Sequence, residues 1–93
     1  MNGQTEKQFA DAVIEFAKLC GWYVKRDPPY RATAASPGFP DLVLARRGTV
    51  MFAELKTEKG KTTIYQDDWA QQLGDLWHLW RPSDWPEIEK VLR

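Results

Sequence analysis

The 93 residues contain only one cysteine and one histidine. A lone Cys20 excludes an internal disulfide and any cysteine-based zinc site, and its place on the apolar face of a predicted helix makes it a filler of the core. His78, on an aromatic and aliphatic strand, reads as a packing or surface residue rather than a base. No apolar run approaches the roughly 20 residues of a membrane span. The N-terminus is polar and shows no signal-peptide pattern, so a cytoplasmic, intracellular protein is expected. Net charge is also missing: 13 basic side chains meet 13 acidic ones, which counts against a generic electrostatic binder of nucleic acid. There is no repeat, low-complexity tract or linker. The length suits a single domain over residues 1–93, burying about 60 to 65% of the unfolded chain's surface.

The charges balance in total but are unevenly placed. Residues 18 to 61 hold nine basic and four acidic side chains, an excess of five positive charges. Arg31, Arg46, Arg47, Lys59 and Lys61 in this segment are candidates for contact with a phosphate backbone. Five tryptophans are many for this length and favour a well-anchored core or an aromatic interface.

The pattern organises itself around Pro40-Asp41-Leu42-Val43-Leu44-Ala45 and Val50-Met51-Phe52-Ala53-Glu54-Leu55-Lys56, two apolar runs joined by Arg46-Arg47-Gly48-Thr49. Runs of this kind with a short glycine-containing link predict a β-hairpin. With a two-residue turn at Arg47-Gly48, Val43 faces Phe52 and Asp41 faces Glu54, and directly opposed residues share a sheet face with Cβ atoms roughly 4.5 to 5.5 Å apart. Lys56 projects from the same face and Leu55 into the core. A three-residue loop would slip the register and part the carboxylates. Two like charges at that distance raise one another's pKa. A hard divalent cation such as Mg²⁺ or Mn²⁺ would remove the conflict. The plain alternative is that Asp41 caps a turn after Pro40 while Glu54 and Lys56 form a surface ion pair.

Around the hairpin, Thr5-Glu6-Lys7-Gln8 has the form of a capping box. Phe9, Val13, Phe16, Ala17 and Cys20 then recur at helical spacing, predicting a helix over about 6–20 that ends at Gly21. Glu6 in its first turn suits the helix dipole or supplies a third carboxylate to the hairpin's charged end, with Glu15 a weaker candidate. Residues 22–26 read as a strand stopped by Asp27-Pro28-Pro29. Tyr30 to Gly38 reads as an exposed loop, in which Arg31 is either solvated or set against phosphate. Thr63-Ile64-Tyr65-Gln66 repeats the capping box and opens a helix over about 64–74, anchored by Ile64, Trp69, Leu73 and Leu76. Gln66 either caps that helix or turns toward the hairpin to orient water or a phosphate oxygen. Residues 76–80 predict a fourth strand, and residues 85–92 a short closing helix. Both hairpin faces are apolar, which implies a sheet covered on two sides.

Gly38-Phe39-Pro40-Asp41, Glu54-Leu55-Lys56, Gln66 with Trp69, and Glu6 in the first helix together resemble the PD-(D/E)xK nuclease superfamily. Within it the chain is similar to the stand-alone VRR-NUC (virus-type replication-repair nuclease) domains of phages, from Thr5 to Trp85. The resemblance implies an α/β fold, a restriction-endonuclease-like α-β-β-β-α-β core with a mixed four-stranded sheet flanked by helices, plus a short C-terminal helix. It implies that Asp41, Glu54 and the backbone carbonyl of Leu55 bind Mg²⁺ or Mn²⁺, with Glu6 completing the acidic cluster. Lys56 would position the attacking water and steady the developing charge, and Gln66 would support the nucleophile. The implied activity is hydrolysis of DNA phosphodiester bonds, selective for branched or Holliday-junction-like structures, by a phage-encoded homodimer in a bacterial host. No organic cofactor or membrane partner is implied. Trp77, Trp80 and Trp85 are candidates for the dimer contact or for the core. Two rivals share the sequence features: a non-catalytic nucleic-acid-binding module of the same fold, and a small protein-interaction domain with a tryptophan-rich surface.

Overall fold

A computed structural model describes residues 4–27 and 37–93. Arg31 and most of the segment expected as an exposed loop lie outside the described residues. The elements run in the expected order: α1 (Glu6–Leu19), β1 (Tyr23–Arg26), β2 (Leu42–Arg46), β3 (Thr49–Leu55), α2 (Ile64–Leu73), β4 (Trp77–Trp80) and α3 (Trp85–Leu92). Short 3₁₀ turns at Gly74–Leu76 and Pro82–Asp84 precede β4 and α3. Leu76, expected to begin the last strand, belongs to the first of these turns.

Both capping boxes form. Thr5 accepts from the amide of Gln8 while the Gln8 side chain accepts from Thr5, and Thr63 and Gln66 repeat the pairing at α2, satisfying amides that a helix N-terminus otherwise leaves unpaired. Gly21 has φ 90°, the left-handed conformation that lets the chain leave α1 and turn directly into β1. Arg47 (φ 51°) and Gly48 (φ 86°) form the hairpin turn. Positive φ at both central residues marks a type I′ turn, whose twist matches that of the flanking strands.

The four strands lie side by side in the order β1-β2-β3-β4. β1 with β2 and β2 with β3 pair antiparallel, and β4 runs parallel to β3, joined to it by α2. The β2–β3 register pairs Val43 with Phe52 and Arg46 with Thr49, as a two-residue turn requires. One sheet face carries Leu42, Leu44, Met51, Ala53, Leu55 and Trp80, all buried against Phe9, Ala10, Val13 and Ala17 of α1 and Ile88 and Leu92 of α3. Trp80 is therefore a core residue, as is Trp22, whose indole N–H donates to the Leu92 carbonyl at 2.8 Å. Trp85 meets Phe16 edge to face at 5.7 Å.

The other face is covered less completely than the apolar pattern suggested. α2 buries none of its residues, and the expected anchors Ile64 and Leu76 are 69% and 46% exposed. What holds α2 is local: Trp69 packs edge-on against Phe39 at 5.0 Å, Phe39 meets Phe52 at 6.0 Å, and the Trp69 indole donates to the Pro37 carbonyl. This aromatic chain fastens α2 to the approach into Asp41 and to one end of the sheet, leaving the rest of that face bare around Tyr23 and Val50.

Candidate active site

Asp41 immediately precedes β2, and Glu54 is the penultimate residue of β3. Extending the observed register by one residue beyond the Leu42–Ala53 pair sets Asp41 opposite Glu54, and the alternation of a strand places both on the α2 side of the sheet. The Asp41 carboxylate accepts from the Leu55 amide at 2.8 Å, and the Asp41 carbonyl accepts from the Asp27 amide at 2.7 Å. The side chain is thus tied to the strand it faces. Gly38 fixes the approach, since its φ of 82° and its packing on α2 leave no room for a side chain. A Cβ there would lie 2.5 Å from the Tyr65 carbonyl carbon and 2.7 Å from the Gln66 nitrogen. α2 and the segment entering Asp41 are therefore in backbone contact.

Glu54 is 2% exposed. Its Oε2 accepts from the Gln66 side-chain amide at 2.9 Å and lies 3.6 Å from the Lys56 ammonium, while its Oε1 is buried without a partner. Gln66 caps its helix, as one of the two sequence readings has it, and also faces the charged end of the hairpin. Its carbonyl oxygen completes the cap of α2 at 2.9 Å, and its NH₂ group goes to the Glu54 carboxylate rather than to solvent. The two carboxyl groups are near enough for the charge of one to bear on the other. Burial and the neighbouring Asp41 charge push Glu54 up to about 8, against the opposing pull of Lys56. Burial raises Asp41 as well, partly offset by the Leu55 amide, Glu54 and the charges of Lys56 and Arg26. The Glu54–Lys56 pair is consequently a buried contact inside the site and not an ion pair on the surface.

The remaining sequence candidates are dispersed. Glu6 and Glu15 are exposed on α1. Among the described residues no three histidine, cysteine, aspartate or glutamate side chains gather closely enough to hold a metal ion, so Glu6 does not join Asp41 and Glu54 in this conformation. Arg47 is exposed in the hairpin turn, about 20 Å of strand from the carboxylates at 3.3 Å per residue. The Arg46 guanidinium stacks on Trp22 at 4.4 Å and donates to the carbonyls of Cys20, Leu92 and Arg93, where it closes the C-terminal ends of α1 and α3. Lys59 and Lys61 are exposed on the loop that follows Lys56. Sequence reading passed over Arg81 and Glu58, which organise that loop; nothing in their spacing marks them.

The donor set suits a hard divalent cation. Two carboxyls set against each other, one with an unpartnered buried oxygen, form a pair that a cation would let ionise together. Asp41 and Glu54, with the Leu55 carbonyl beside them in sequence, are the residues that would hold it.

No protein-family model and no curated protein matches this chain. A solved structure described as a VRR_NUC domain superposes on it with a TM-score of 0.69, covering 97% of this chain and 96% of its own at 19% sequence identity. The mixed four-stranded sheet and three flanking helices of this chain are the restriction-endonuclease-like α/β fold of a VRR_NUC domain.

Proposed function

We propose that this domain is a metal-dependent endonuclease that hydrolyses DNA phosphodiester bonds. The observation that carries the reading is Glu54: a buried carboxyl opposite Asp41, with one oxygen unpartnered and an ammonium group 3.6 Å from the other. A protein gains no stability from a buried carboxyl so arranged, whereas a phosphoryl-transfer site needs it. Bound Mg²⁺ or Mn²⁺ would lower the pKa of a coordinated water and offset charge on the scissile phosphate.

The residues divide the rest of the work. Asp41 and Glu54 supply anionic oxygens from adjoining strands, held in place by the Leu55 amide and by Gln66. Lys56 keeps its ammonium, on a side chain only 16% exposed, beside the carboxylates, where it orients the incoming water and balances negative charge growing on the phosphate. Lys59 and Lys61 extend positive charge along the DNA backbone.

The finer reading is a cytoplasmic homodimer acting on branched DNA. Zero net charge over the chain leaves one protomer few phosphate contacts, and a second protomer doubles them. On the α2 side of the sheet Tyr23, Ile64 and Tyr65 are each more than half exposed, apolar side chains available to a partner protomer. Among the described residues no helix is long and apolar enough to cross a membrane.

The test titrates Mg²⁺ and Mn²⁺ against nicked, flapped, four-way and linear DNA with the parent and Lys56→Ala. Cation-dependent cleavage by the parent, reduced about 100-fold or more in Lys56→Ala, is the expected result. Binding without cleavage under either cation would leave a nucleic-acid-binding module, and neither binding nor cleavage would leave a protein-interaction domain.

A further inference from the structure

The loop after Lys56 is gathered around a single side chain from another part of the chain. Arg81, just past β4, uses one guanidinium nitrogen to donate to the carbonyls of Thr57 at 2.6 Å, Gly60 at 2.6 Å and Glu58 at 3.3 Å. A second tie runs the other way, with the Glu58 carboxylate accepting from the Ser83 amide at 2.5 Å and the Ser83 hydroxyl at 2.9 Å. Arg81 is itself held, because its amide donates to Asp84 at 2.9 Å. The Lys56 amide continues the β3–β4 ladder by donating to the Trp80 carbonyl at 3.0 Å. Loop 57–60 is therefore fixed to the β4–α3 connection at both its backbone and its one acidic side chain.

The neighbour of this loop on the site's side is Lys56. A methyl group placed on Gly60 would stand 3.4 Å from Cδ and 3.6 Å from Cβ of Lys56, and 3.2 Å from the Thr57 hydroxyl. The Gly60 backbone thus lies about one methyl group from the aliphatic stem of Lys56 and bounds the space open to it, and Arg81 holds Gly60 by its carbonyl. The stem has four rotatable carbons and a strongly hydrated head. Without a wall its ammonium would spread over many rotamers, most of them away from Glu54.

We infer that Arg81 is a positioning residue of the active site. By drawing the carbonyls of Thr57, Glu58 and Gly60 onto one guanidinium, it sets the loop against the Lys56 side chain and aims the ammonium at Glu54. This rests on the nuclease reading above. Arg81 touches neither the carboxylates nor, in this assignment, the DNA; it acts through Gly60 and Lys56.

The experiment measures single-turnover cleavage at saturating DNA for the parent, Arg81→Met, Lys56→Met and the double variant, with DNA affinity in Ca²⁺ alongside. A misplacement of about 1 Å in a reacting group costs on the order of 100-fold, so Arg81→Met is expected to lose 10- to 100-fold in rate with affinity changed less than about threefold. In the Lys56→Met background the same substitution should cost less than about twofold, because residues that act as a unit are not additive. Parental rates in Arg81→Met, or an equal loss in the presence and absence of Lys56, would overturn the inference while leaving the nuclease reading standing. A parent that cleaves no DNA with either cation overturns the nuclease reading, and the inference falls with it. Where Lys56→Met is too slow for the cycle, a crystal structure of Arg81→Met decides: an unmoved 3.6 Å contact between Lys56 and Glu54 overturns the assignment, and a displaced ammonium supports it.

Discussion

A carboxyl group kept 2% exposed beside a second carboxyl ionises reluctantly, and Glu54 is pushed up to about 8 from an ordinary 4.5. Between those values the folded protein holds a proton that the unfolded chain has released. The linkage relation then makes stability fall as pH rises, fully present below about 4.5 and lost through about 8. Asp41, also raised by burial, adds to that decline, and His78, whose half-burial lowers its pKa, acts in the opposite sense below its ordinary 6.5, so the parent curve mixes the three. Glu54→Gln isolates the Glu54 contribution. The amide is neutral at every pH, so metal-free Glu54→Gln should lose that part of the decline between pH 5 and 8 and exceed the parent at pH 8 by about 1 to 3 kcal/mol, the cost of a poorly compensated buried charge. Thermal melts would read this as a rise of several degrees at pH 8 and little change at pH 5. A cation that binds only the ionised pair stabilises the fold by mass action. Ten-millimolar-scale Mg²⁺ is therefore expected to raise the parent's Tm at pH 8 more than at pH 5, and to leave Glu54→Gln unmoved. The opposition of Asp41 and Glu54 was legible in the sequence because strand alternation and a two-residue turn leave one register that buries Leu42, Leu44 and Ala53 together. Arg81 was not, because its partners are backbone carbonyls 21 to 24 residues away, and a carbonyl has no residue type to read.

The hairpin and α2 are the elements that bring the site together, and each depends on a backbone conformation that can be tested singly. Gly38 combines a left-handed φ with backbone contact to the first turn of α2. Gly38→Ala adds conformational strain and a collision that no flexible side chain can relieve, together about 2 to 4 kcal/mol. Because the displaced partner is the peptide of Tyr65 and Gln66, the Gln66 amide should also leave Glu54, so cleavage should fall even at temperatures where the variant remains folded. Circular dichroism melts with parallel activity measurements check both halves. The turn offers the opposite case. Arg47 occupies a left-handed position with an exposed, unneeded side chain, and Asn-Gly is the preferred pair for a type I′ turn. Arg47→Asn should stabilise by a few tenths to about 1 kcal/mol, seen as a higher urea midpoint at unchanged slope. Both capping boxes and all seven elements follow from local spacing and were legible for that reason. The bare part of the sheet face was not, because an apolar residue reads the same in a strand whether or not a helix arrives to cover it; Ile64, Tyr65 and Leu76 are apolar by type and exposed by placement.

Charge is a property of the whole molecule, about 35 × 33 × 21 Å in extent, and it limits how such a domain can hold DNA. With 13 charges of each sign the long-range field is weak, so affinity must come from the few cations that surround the site. Lys56, Lys59 and Lys61 lie together at one end of the sheet, whereas Arg46 is spent on helix carbonyls and Arg47 is far from the carboxylates. Each neutralised phosphate of duplex DNA contributes about −0.9 to the slope of log K against log salt concentration. Three lysines on one protomer therefore predict a slope of about −3, and two protomers engaging one branched substrate predict about −5 to −6. Titrations in Ca²⁺ between about 50 and 200 mM salt, on linear and four-way DNA, distinguish the cases. If pairing of protomers underlies preference for branched DNA, the steep slope should belong to the four-way substrate and the shallow one to the linear duplex. Dilution below the dimer's dissociation constant should then bring the two slopes together. Equal slopes of about −3 on both substrates at every concentration would make the domain a monomeric nuclease with no built-in preference for junctions. In that case the exposed Tyr23, Ile64 and Tyr65 would have no part in choosing the DNA.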